Sequence, residues 1–205
     1  MMTENSLQPR LIGFAGHRNV PDRGELSRVI RNELKKFREL YGVRVTAISS
    51  VAAGADLVFL KTCTELRIPA IMILPFGKMR FAEDFENAEE WKLAESLMSI
   101  SLATYVIRGK FEAPEAYQVV SRQLLEWADA FLFVWNGDPA RGLGGTGETV
   151  DEARDLGIPA RIIDANSLVT RWTFEPDMGR VARHGFVTRK ELLEFLDARL
   201  VCVSS

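Results

Sequence analysis

Two spacings of apolar residues alternate along the chain. Short continuous apolar runs are separated by longer segments in which apolar positions recur every three or four residues. The first spacing is typical of a buried strand and the second of an amphipathic helix. The runs that predict strands are 10–15, 43–49, 70–74, 104–107, 131–135 and 159–164. The segments that predict helices cover about 23–41, 57–67, 86–101, 115–128 and 149–156.

These elements predict an α/β fold. Strands that alternate with helices form a mostly parallel sheet with helices on both faces, which gives a three-layer sandwich. We predict six or seven strands, because the weaker pattern beyond the sixth strand includes a candidate edge strand at 171–174 and a closing helix at 190–200. No repeat, linker or low-complexity stretch divides the sequence. We therefore expect one domain over 1–205, with a core at about 10–165 and a C-terminal extension at 166–205.

Composition argues against several classes of function. The chain has 205 residues, of which 47% are hydrophobic and 26% charged, and its formal net charge is −2. Without an overall positive charge, nonspecific nucleic-acid binding is not expected. The two cysteines, Cys63 and Cys202, indicate neither a metal site nor a disulfide framework. The first residues lack the apolar core of a signal peptide, and no run reaches membrane-helix length. We therefore expect a cytoplasmic protein that acts away from membranes.

A glycine-rich loop follows the apolar run at 131–135. It reads Gly142-Leu143-Gly144-Gly145-Thr146-Gly147-Glu148, and a helix is expected to begin at Thr149. A strand, a glycine-rich loop and a helix N-terminus together bind phosphate, because backbone N–H groups approach the anion closely and the helix dipole favours negative charge. Ordinary turns of α/β proteins have the same pattern, and the loop matches neither the lysine-containing P-loop motif nor GxGxxG. The sequence is therefore compatible both with a phosphate-binding loop and with an ordinary turn.

Other candidate site residues follow the strands at their carboxyl ends, where ligands of open α/β sheets bind. They are Gly16, His17 and Arg18 after the first strand, Gly54, Ala55 and Asp56 after the second, and Trp135 and Asn136 after the fifth. Arg18 and the loop amides suit a phosphate group, and Trp135 offers an aromatic surface. Asp56 and Glu148 suit sugar hydroxyls. The set therefore favours a nucleotide over a hydrophobic ligand.

Each of these side chains also has a structural alternative. His17 can bond the backbone of a neighbouring loop, Arg18 can be a surface charge, and Asp56 can belong to a tight helix entry. Trp135 can lie in the core. Arg122, on the helix before the fifth strand, can be a solvated or interface residue.

The motifs, taken in order, resemble the SLOG superfamily. The resemblance rests on Gly13-x-x-Gly16-His17-Arg18, Ala53-Gly54-Ala55-Asp56, Leu74-Pro75-Phe76 with Asp84-Phe85, and Ala128-Asp129-Ala130-Phe131 through Gly144-Gly145-Thr146-Gly147-Glu148. That superfamily has a Rossmann-like fold and includes the LOG or lysine decarboxylase-like proteins, the DNA-processing protein DprA, and sensor domains of bacterial nucleotide-signalling defence systems. The resemblance, over roughly residues 10–165, implies a nucleotide or nucleotide-derived ligand in the crevice, no further cofactor, and a homodimer.

LOG enzymes are phosphoribohydrolases that cleave the N-glycosidic bond of nucleoside 5′-monophosphates. They use an arginine and a glutamate around a PGGxGTxxE motif. Here Arg141 stands at the proline position, Leu143 replaces the second glycine, and Thr149 stands at the position of the final glutamate, with Glu148 one residue earlier. The resemblance offers Glu148 and Arg122 as catalytic candidates, although Arg122 does not align cleanly with the family arginine.

We therefore expect a nucleotide-binding or nucleotide-sensing protein. The alternative is an N-glycosidase of nucleoside 5′-monophosphates, in which Glu148 stabilises oxocarbenium character and Arg122 or Arg18 holds the phosphate. A third hypothesis is an interaction protein that kept the fold without the site, or a DNA binder, which the net charge of −2 disfavours.

Overall fold

The computed structural model describes residues 10–41, 45–139, 143–173, 194 and 201–202. The strands are β1 Arg10–Gly16, β2 Val45–Ser49, β3 Ala70–Leu74, β4 Ala103–Val106, β5 Ala130–Trp135, β6 Ala160–Asp164, β7 Thr170–Trp172 and β8 Val201–Cys202. The helices are α1 Arg23–Tyr41, α2 Ala55–Glu65, α3 Lys78–Ala82, α4 Ala88–Ser99, α5 Ala113–Trp127 and α6 Thr146–Asp155. None of the helices within the described ranges combines the length and hydropathy that crossing a bilayer requires.

The described strands form one sheet in the order β7-β6-β5-β1-β2-β3-β4-β8. The six central strands are parallel, and β7 and β8 pair antiparallel at the two edges. The predicted α/β fold with a mostly parallel sheet is thus confirmed. The strand total is one higher than the upper prediction, because Val201–Cys202 adds a second edge strand beside β4. The predicted strand at 171–174 corresponds to β7, whereas the predicted helix at 190–200 lies outside the described residues except for Glu194.

Helices cover both faces of the sheet, as predicted. On one face, α1 to α4 pack around a cluster in which the rings of Phe14 and Phe59 stack with centroids 4.2 Å apart. On the other face, α5 and α6 pack around Phe131 and Phe133, whose ring centroids are 4.4 Å apart. Side chains of successive strand residues point to opposite faces, so the same buried strands contribute residues to both clusters. The three-layer sandwich therefore follows directly from the apolar runs.

A short helix lies within residues 78–85, a segment for which the sequence predicts neither a helix nor a strand. Lys78–Ala82 forms α3, and Phe81 on this helix is buried. Its ring centroid lies 5.4 Å from that of Phe85 and 6.3 Å from that of Trp91. Burial of this aromatic cluster orders the segment. A single helical turn is too short for the spacing of apolar residues to reveal it.

The centre of the sheet determines where a ligand can bind. β1 lies between β2 and β5, so the chain leaves β1 toward one side of the sheet and later returns on the other side. At such a switch point the loops at the carboxyl ends of the strands diverge and leave a crevice. The loops after β1 and β5 and the start of α6 border this crevice.

Candidate functional site

A cleft of about 660 Å³ lies at the carboxyl ends of β1 and β5. It is bounded by the loops after these strands, the loop between β2 and α2, one face of α5 and the start of α6. The predicted site residues that line it are Gly16, His17, Arg18, Asp56, Asn136, Gly144, Gly145, Thr146 and Gly147. Five other predicted residues are not part of its lining: Gly54, Ala55, Trp135, Glu148 and Arg122.

The small residues after β1 and β2 pack the two loops together. Gly54 has a φ of 86°, and a Cβ there would lie 1.9 Å from the backbone oxygen of Arg18. The amide of Ala55 donates to the backbone oxygen of His17 at 3.1 Å. A Cβ at Gly16 would lie 2.6 Å from the Cβ of Ala55. Gly54 and Ala55 therefore fix the course of the loop that carries His17 and Arg18, and they do so from behind the cleft wall.

Asp56 occupies the floor of the cleft with a fully buried carboxylate. One of its oxygens accepts hydrogen bonds from the hydroxyls of Ser49 at 2.9 Å and Ser50 at 2.8 Å. Backbone groups of Ala52 and Gly16 bond the same carboxylate. Burial raises the pKa of Asp56 to about 6, and these hydrogen bonds oppose the rise. Asp56 thus joins the ends of β1 and β2 to the first turn of α2.

The raised pKa of Asp56 makes stability depend on pH. The folded protein holds this proton more tightly than the unfolded chain, whose value is near 3.8. The stabilisation is complete below that value and is lost as the pH rises through about 6. Relative to Asp56→Asn, we expect the free energy of unfolding of the wild type to fall by up to about 3 kcal/mol from about pH 4 to about pH 7. Urea titrations across this range measure the difference, and a flat difference would contradict the assignment.

His17 and Asn136 join the loops after β1 and β5. The amide of His17 donates to the backbone oxygen of Val134 at 3.1 Å. Nε2 of His17 lies 3.1 Å from the backbone N of Asn136 and 2.9 Å from its side-chain oxygen. One ring nitrogen cannot accept from the first and donate to the second at once, so the tautomer selects between the two bonds. His17 therefore bonds a neighbouring loop, which is the structural alternative, while it also lines the cleft.

Trp135 belongs to the core of the α5–α6 face and not to the cleft lining. It is 8% exposed, and its indole nitrogen donates to the backbone oxygen of Asp138 at 2.8 Å. The aromatic side chain that lines the cleft is Tyr117, on α5. The α5 residues at the cleft are Tyr117, Val120, Ser121 and Leu124, which repeat at three and four positions as one helix face does. Tyr117 is not among the site residues predicted from the sequence, although this periodicity is the sequence signal that points to it.

The α6 helix begins three residues earlier than predicted. Thr146, Gly147 and Glu148 form its first turn, so the second half of the predicted loop is helical. Gly145 is the N-cap residue, with φ −76° and ψ 159°, and no side chain of the described residues caps the amides of this turn. The first N–H groups of a helix have no partner within the helix and carry its positive dipole end. Because Gly145, Thr146 and Gly147 line the cleft, the positive end of the α6 dipole faces the cleft.

Glu148 holds the loop in place. Its Oε2 accepts from the amide of Gly144 at 2.6 Å, and its Oε1 accepts from the side-chain amide of Gln118 at 2.6 Å. Gly144 has a φ of 74°, so the left-handed conformation of the loop occurs here and not at Gly145. Thr149, at the position of the LOG-like glutamate, is buried and donates through its hydroxyl to the backbone oxygen of Gly145 at 3.1 Å. Glu148 and Thr149 thus both stabilise the structure of the loop.

Arg18 and Arg122 differ in their placement. Arg18 is exposed at the cleft mouth and is the only Lys or Arg among the described residues that line the cleft. Its guanidinium lies 5.7 Å from the centroid of the Tyr117 ring. Arg122 follows Ser121 on α5 and is rotated by about 100° from it around the helix. It is exposed and pairs with Glu152 at 3.2 Å, outside the cleft lining.

The described residues include no group of three His, Cys, Asp or Glu side chains that could hold a metal ion. The polar groups of the described lining are a helix N-terminus, the Arg18 guanidinium, the His17 ring, and several neutral donors and acceptors. The lining also includes the carboxylates of Asp56 and Asp138, which accept hydrogen bonds from Ser49 and Ser50 and from Asn136. The neutral side chains with hydroxyl or amide groups are Asn19, Ser50, Tyr117, Ser121, Asn136, Thr146 and Asn166. Such a lining suits an anionic ligand that also carries hydroxyl or amide-like groups.

Comparisons with known proteins agree with this architecture. No protein-family model matches the chain, and a search of curated proteins found no match. Among solved structures, the chain is similar to the X-ray structure of DNA processing protein A (DprA) from Streptococcus pneumoniae, with a TM-score of 0.56 and 13% sequence identity. The match covers 77% of this chain and 51% of the DprA chain, so the chain spans about half the length of that protein. At this identity the similarity shows the fold alone, which is Rossmann-like.

Proposed function

We propose that this protein binds a nucleotide or nucleotide-derived ligand and acts as a binding or sensing protein of the SLOG type. The observation that carries the proposal is the start of α6, which no side chain among the described residues caps and which lines the same cleft as Arg18. Free amides at a helix N-terminus and a guanidinium are the two protein groups that best recognise a phosphate. The order of motifs that resembles the SLOG superfamily supports the same ligand class.

The rest of the lining supports a nucleotide over a simple anion. The cleft volume of about 660 Å³ is within the usual range for small-molecule sites. Ser121 and Asn136 can bond sugar hydroxyls or base edges, and both belong to the lining. The similarity to a DNA-processing protein raises DNA as a second ligand class, but extended DNA needs several phosphate contacts along its backbone. A single lysine or arginine in the described lining favours one small ligand instead.

Binding without turnover is the preferred version of the proposal. In the LOG-like alternative, a glutamate acts at the sugar and an arginine holds the phosphate. Here one carboxylate oxygen of Glu148 accepts from the amide of Gly144 in the loop and the other accepts from Gln118 on α5. Arg122 is paired with Glu152 outside the cleft lining. The two catalytic candidates, Glu148 and Arg122, are therefore engaged in contacts within the fold. We expect no release of free base from any nucleoside 5′-monophosphate.

Calorimetry against a panel of adenine, guanine, cytosine and uracil nucleotides tests the proposal, with a short single-stranded oligonucleotide as a further ligand. Chromatography of the same mixtures detects free base. Binding of a nucleotide without base release supports a sensor or binding protein. Base release would establish the N-glycosidase alternative, and tight binding of only the oligonucleotide would replace the proposal with DNA binding.

Arg18→Ala and Arg122→Ala form a matched pair of variants. We expect Arg18→Ala to weaken nucleotide binding by about 10-fold to about 100-fold, since a hydrogen bond to a charged group contributes about 1.5–3 kcal/mol. Arg122→Ala removes an exposed ion pair and should leave the affinity unchanged. Calorimetry on both variants, after circular dichroism has shown that they fold, measures the difference. The opposite ranking would favour the role that the LOG resemblance gives to Arg122.

A further inference from the structure

The only lysine or arginine of the described cleft lining belongs to a connected side-chain cluster. The guanidinium of Arg18 lies over the ring of Tyr117, 5.7 Å from its centroid. The Tyr117 hydroxyl donates to one carboxylate oxygen of Asp84, and Arg80 donates to the other at 2.9 Å. Arg80 also lies 4.7 Å from the ring centroid of Phe76, whose ring meets that of Tyr117 edge-on at 6.1 Å. The cluster thus supports Arg18 from α5 and from the segment around α3.

Tyr117 packs not only against Arg18 but also against Gly144 of the glycine loop. A Cβ at Gly144 would lie 2.8 Å from the Cβ of Tyr117 and 2.6 Å from the backbone N of Gln118. The next contact along the loop is the hydrogen bond from Gln118 to Glu148, in the first turn of α6. Residues 117–118 of α5 therefore touch both halves of the proposed anion site, Arg18 and the start of α6.

We propose that Tyr117 and Asp84 are positioning residues that hold the Arg18 guanidinium at a set distance from the α6 amides, so that one phosphate group contacts both. The functional part of this inference rests on the proposed nucleotide site. The physical reason is preorganisation. An exposed arginine has many rotamers, and fixing it on an aromatic ring before the ligand arrives lowers the entropic cost of binding.

Other roles for the two side chains fit the contacts less well. A base-stacking role for Tyr117 requires an open ring face, but Arg18 lies over the ring and Phe76 packs against it. A base-reading role for Asp84 requires a carboxylate that faces the cleft, but Asp84 is not part of the described cleft lining, and Tyr117 and Arg80 bond its two oxygens. Burial, together with the bond to Asp84, raises the pKa of Tyr117 to about 12, so the hydroxyl remains a donor at physiological pH.

The first test uses the free protein and needs no ligand. Nitrogen-15 relaxation of the Arg18 Nε–H group reports the mobility of its side chain. We expect a restrained group in the wild type and in Tyr41→Phe, and a mobile group in Tyr117→Leu and Asp84→Asn. Tyr41 is a matched control, because Arg10 lies 5.5 Å from its ring centroid and its pKa is also about 12, but it is not part of the described cleft lining. Equal mobility in the wild type and Tyr117→Leu would overturn the inference.

The second test is a double-mutant cycle with inorganic phosphate as the probe, followed through the amide resonances of the first α6 turn. Tyr117→Leu should weaken phosphate binding by about 10-fold when Arg18 is present. In an Arg18→Ala background the same substitution should weaken it less than about twofold, since a positioning residue acts only through its partner. Tyr117→Phe keeps the ring beneath Arg18 and removes only the hydrogen bond to Asp84, so it should weaken phosphate binding less, by about threefold. Equal losses in both backgrounds would show a merely structural role.

The two tests separate this inference from the proposed function. If the wild-type protein binds neither phosphate nor nucleotide, the proposed function is wrong. The mobility of the Arg18 side chain would still show whether Tyr117 and Asp84 position it. A protein that binds a nucleotide while Arg18 stays mobile would keep the proposed function and reject the positioning roles.

Discussion

Gly145→Asp is expected to weaken nucleotide binding by more than about 100-fold without loss of stability. Gly145 has the extended backbone of an N-cap residue, which aspartate adopts readily. Its carboxylate would accept from the amides of Gly147 or Glu148 and occupy the positive end of the helix, where we place the phosphate. Two lost bonds to a charged group, at about 1.5–3 kcal/mol each, exceed a 100-fold change before charge repulsion is added. The same carboxylate should raise the free energy of unfolding by up to about 1 kcal/mol.

Two further substitutions at Gly145 separate the effect of a negative charge from the effect of occupying the helix amides. Gly145→Asn caps the amides without a negative charge and should weaken binding less than Gly145→Asp does. Gly145→Ala adds neither a cap nor a charge and should keep the affinity within a few-fold. Calorimetry gives the affinities and urea unfolding gives the stabilities. If a folded Gly145→Asp variant binds as tightly as the wild type, the loop is an ordinary turn and the ligand lies elsewhere.

Glu33→Leu is expected to destabilise the protein by about 3–5 kcal/mol, because it leaves the charge of Arg161 buried without its partner. Glu33 on α1 is 1% exposed, and Arg161 on β6 is 8% exposed. The two form an ion pair that ties α1 to the sheet. Arg161 also donates to the Thr170 hydroxyl at 2.9 Å and lies 4.9 Å from the ring centroid of Trp172, so the pair anchors β7 as well.

The double variant Glu33→Leu with Arg161→Leu is the control for this ion pair. Replacing a buried pair by apolar residues of similar volume is often close to neutral, so the double variant should recover most of the lost stability. Urea unfolding of the two single variants and the double variant measures the coupling. A double variant as unstable as the sum of the single variants would show that the residues act independently. Nucleotide binding should be unaffected in each variant that folds, because neither residue lines the cleft.

The sequence by itself determined the fold class and the rough position of the cleft. Continuous apolar runs such as 131–135 and the helical spacing of residues 23–41 are local properties, and the described strands and helices follow them closely. The order of strands and helices then implies parallel pairing and a crevice at the carboxyl ends of the strands. This order of elements predicts that Gly16, His17, Arg18 and the glycine loop lie at the cleft, and Gly16, His17, Arg18 and residues 144–147 line it. Their role in binding a nucleotide, like the homodimer, stays a prediction.

Only the tertiary structure decided which side chains face the cleft. The direction of a helical side chain depends on how the helix is rotated against the sheet, so Ser121 lines the cleft while Arg122 is exposed outside it. Trp135 and Tyr117 are both aromatic residues close to the loop, and their packing partners make the first a core residue and the second a cleft residue.

The start of α6 also depended on long-range contacts. Three glycines and two polar residues between 144 and 148 give no helical spacing, so the sequence predicts a loop up to Thr149. The helix begins at Thr146 because Gln118, thirty positions earlier on α5, holds Glu148, which in turn holds the amide of Gly144. Local patterns of apolar and polar residues specify the layers of this fold. Arg18 and the start of α6 border the same cleft because distant segments meet at α5, and no local pattern in the chain encodes that meeting.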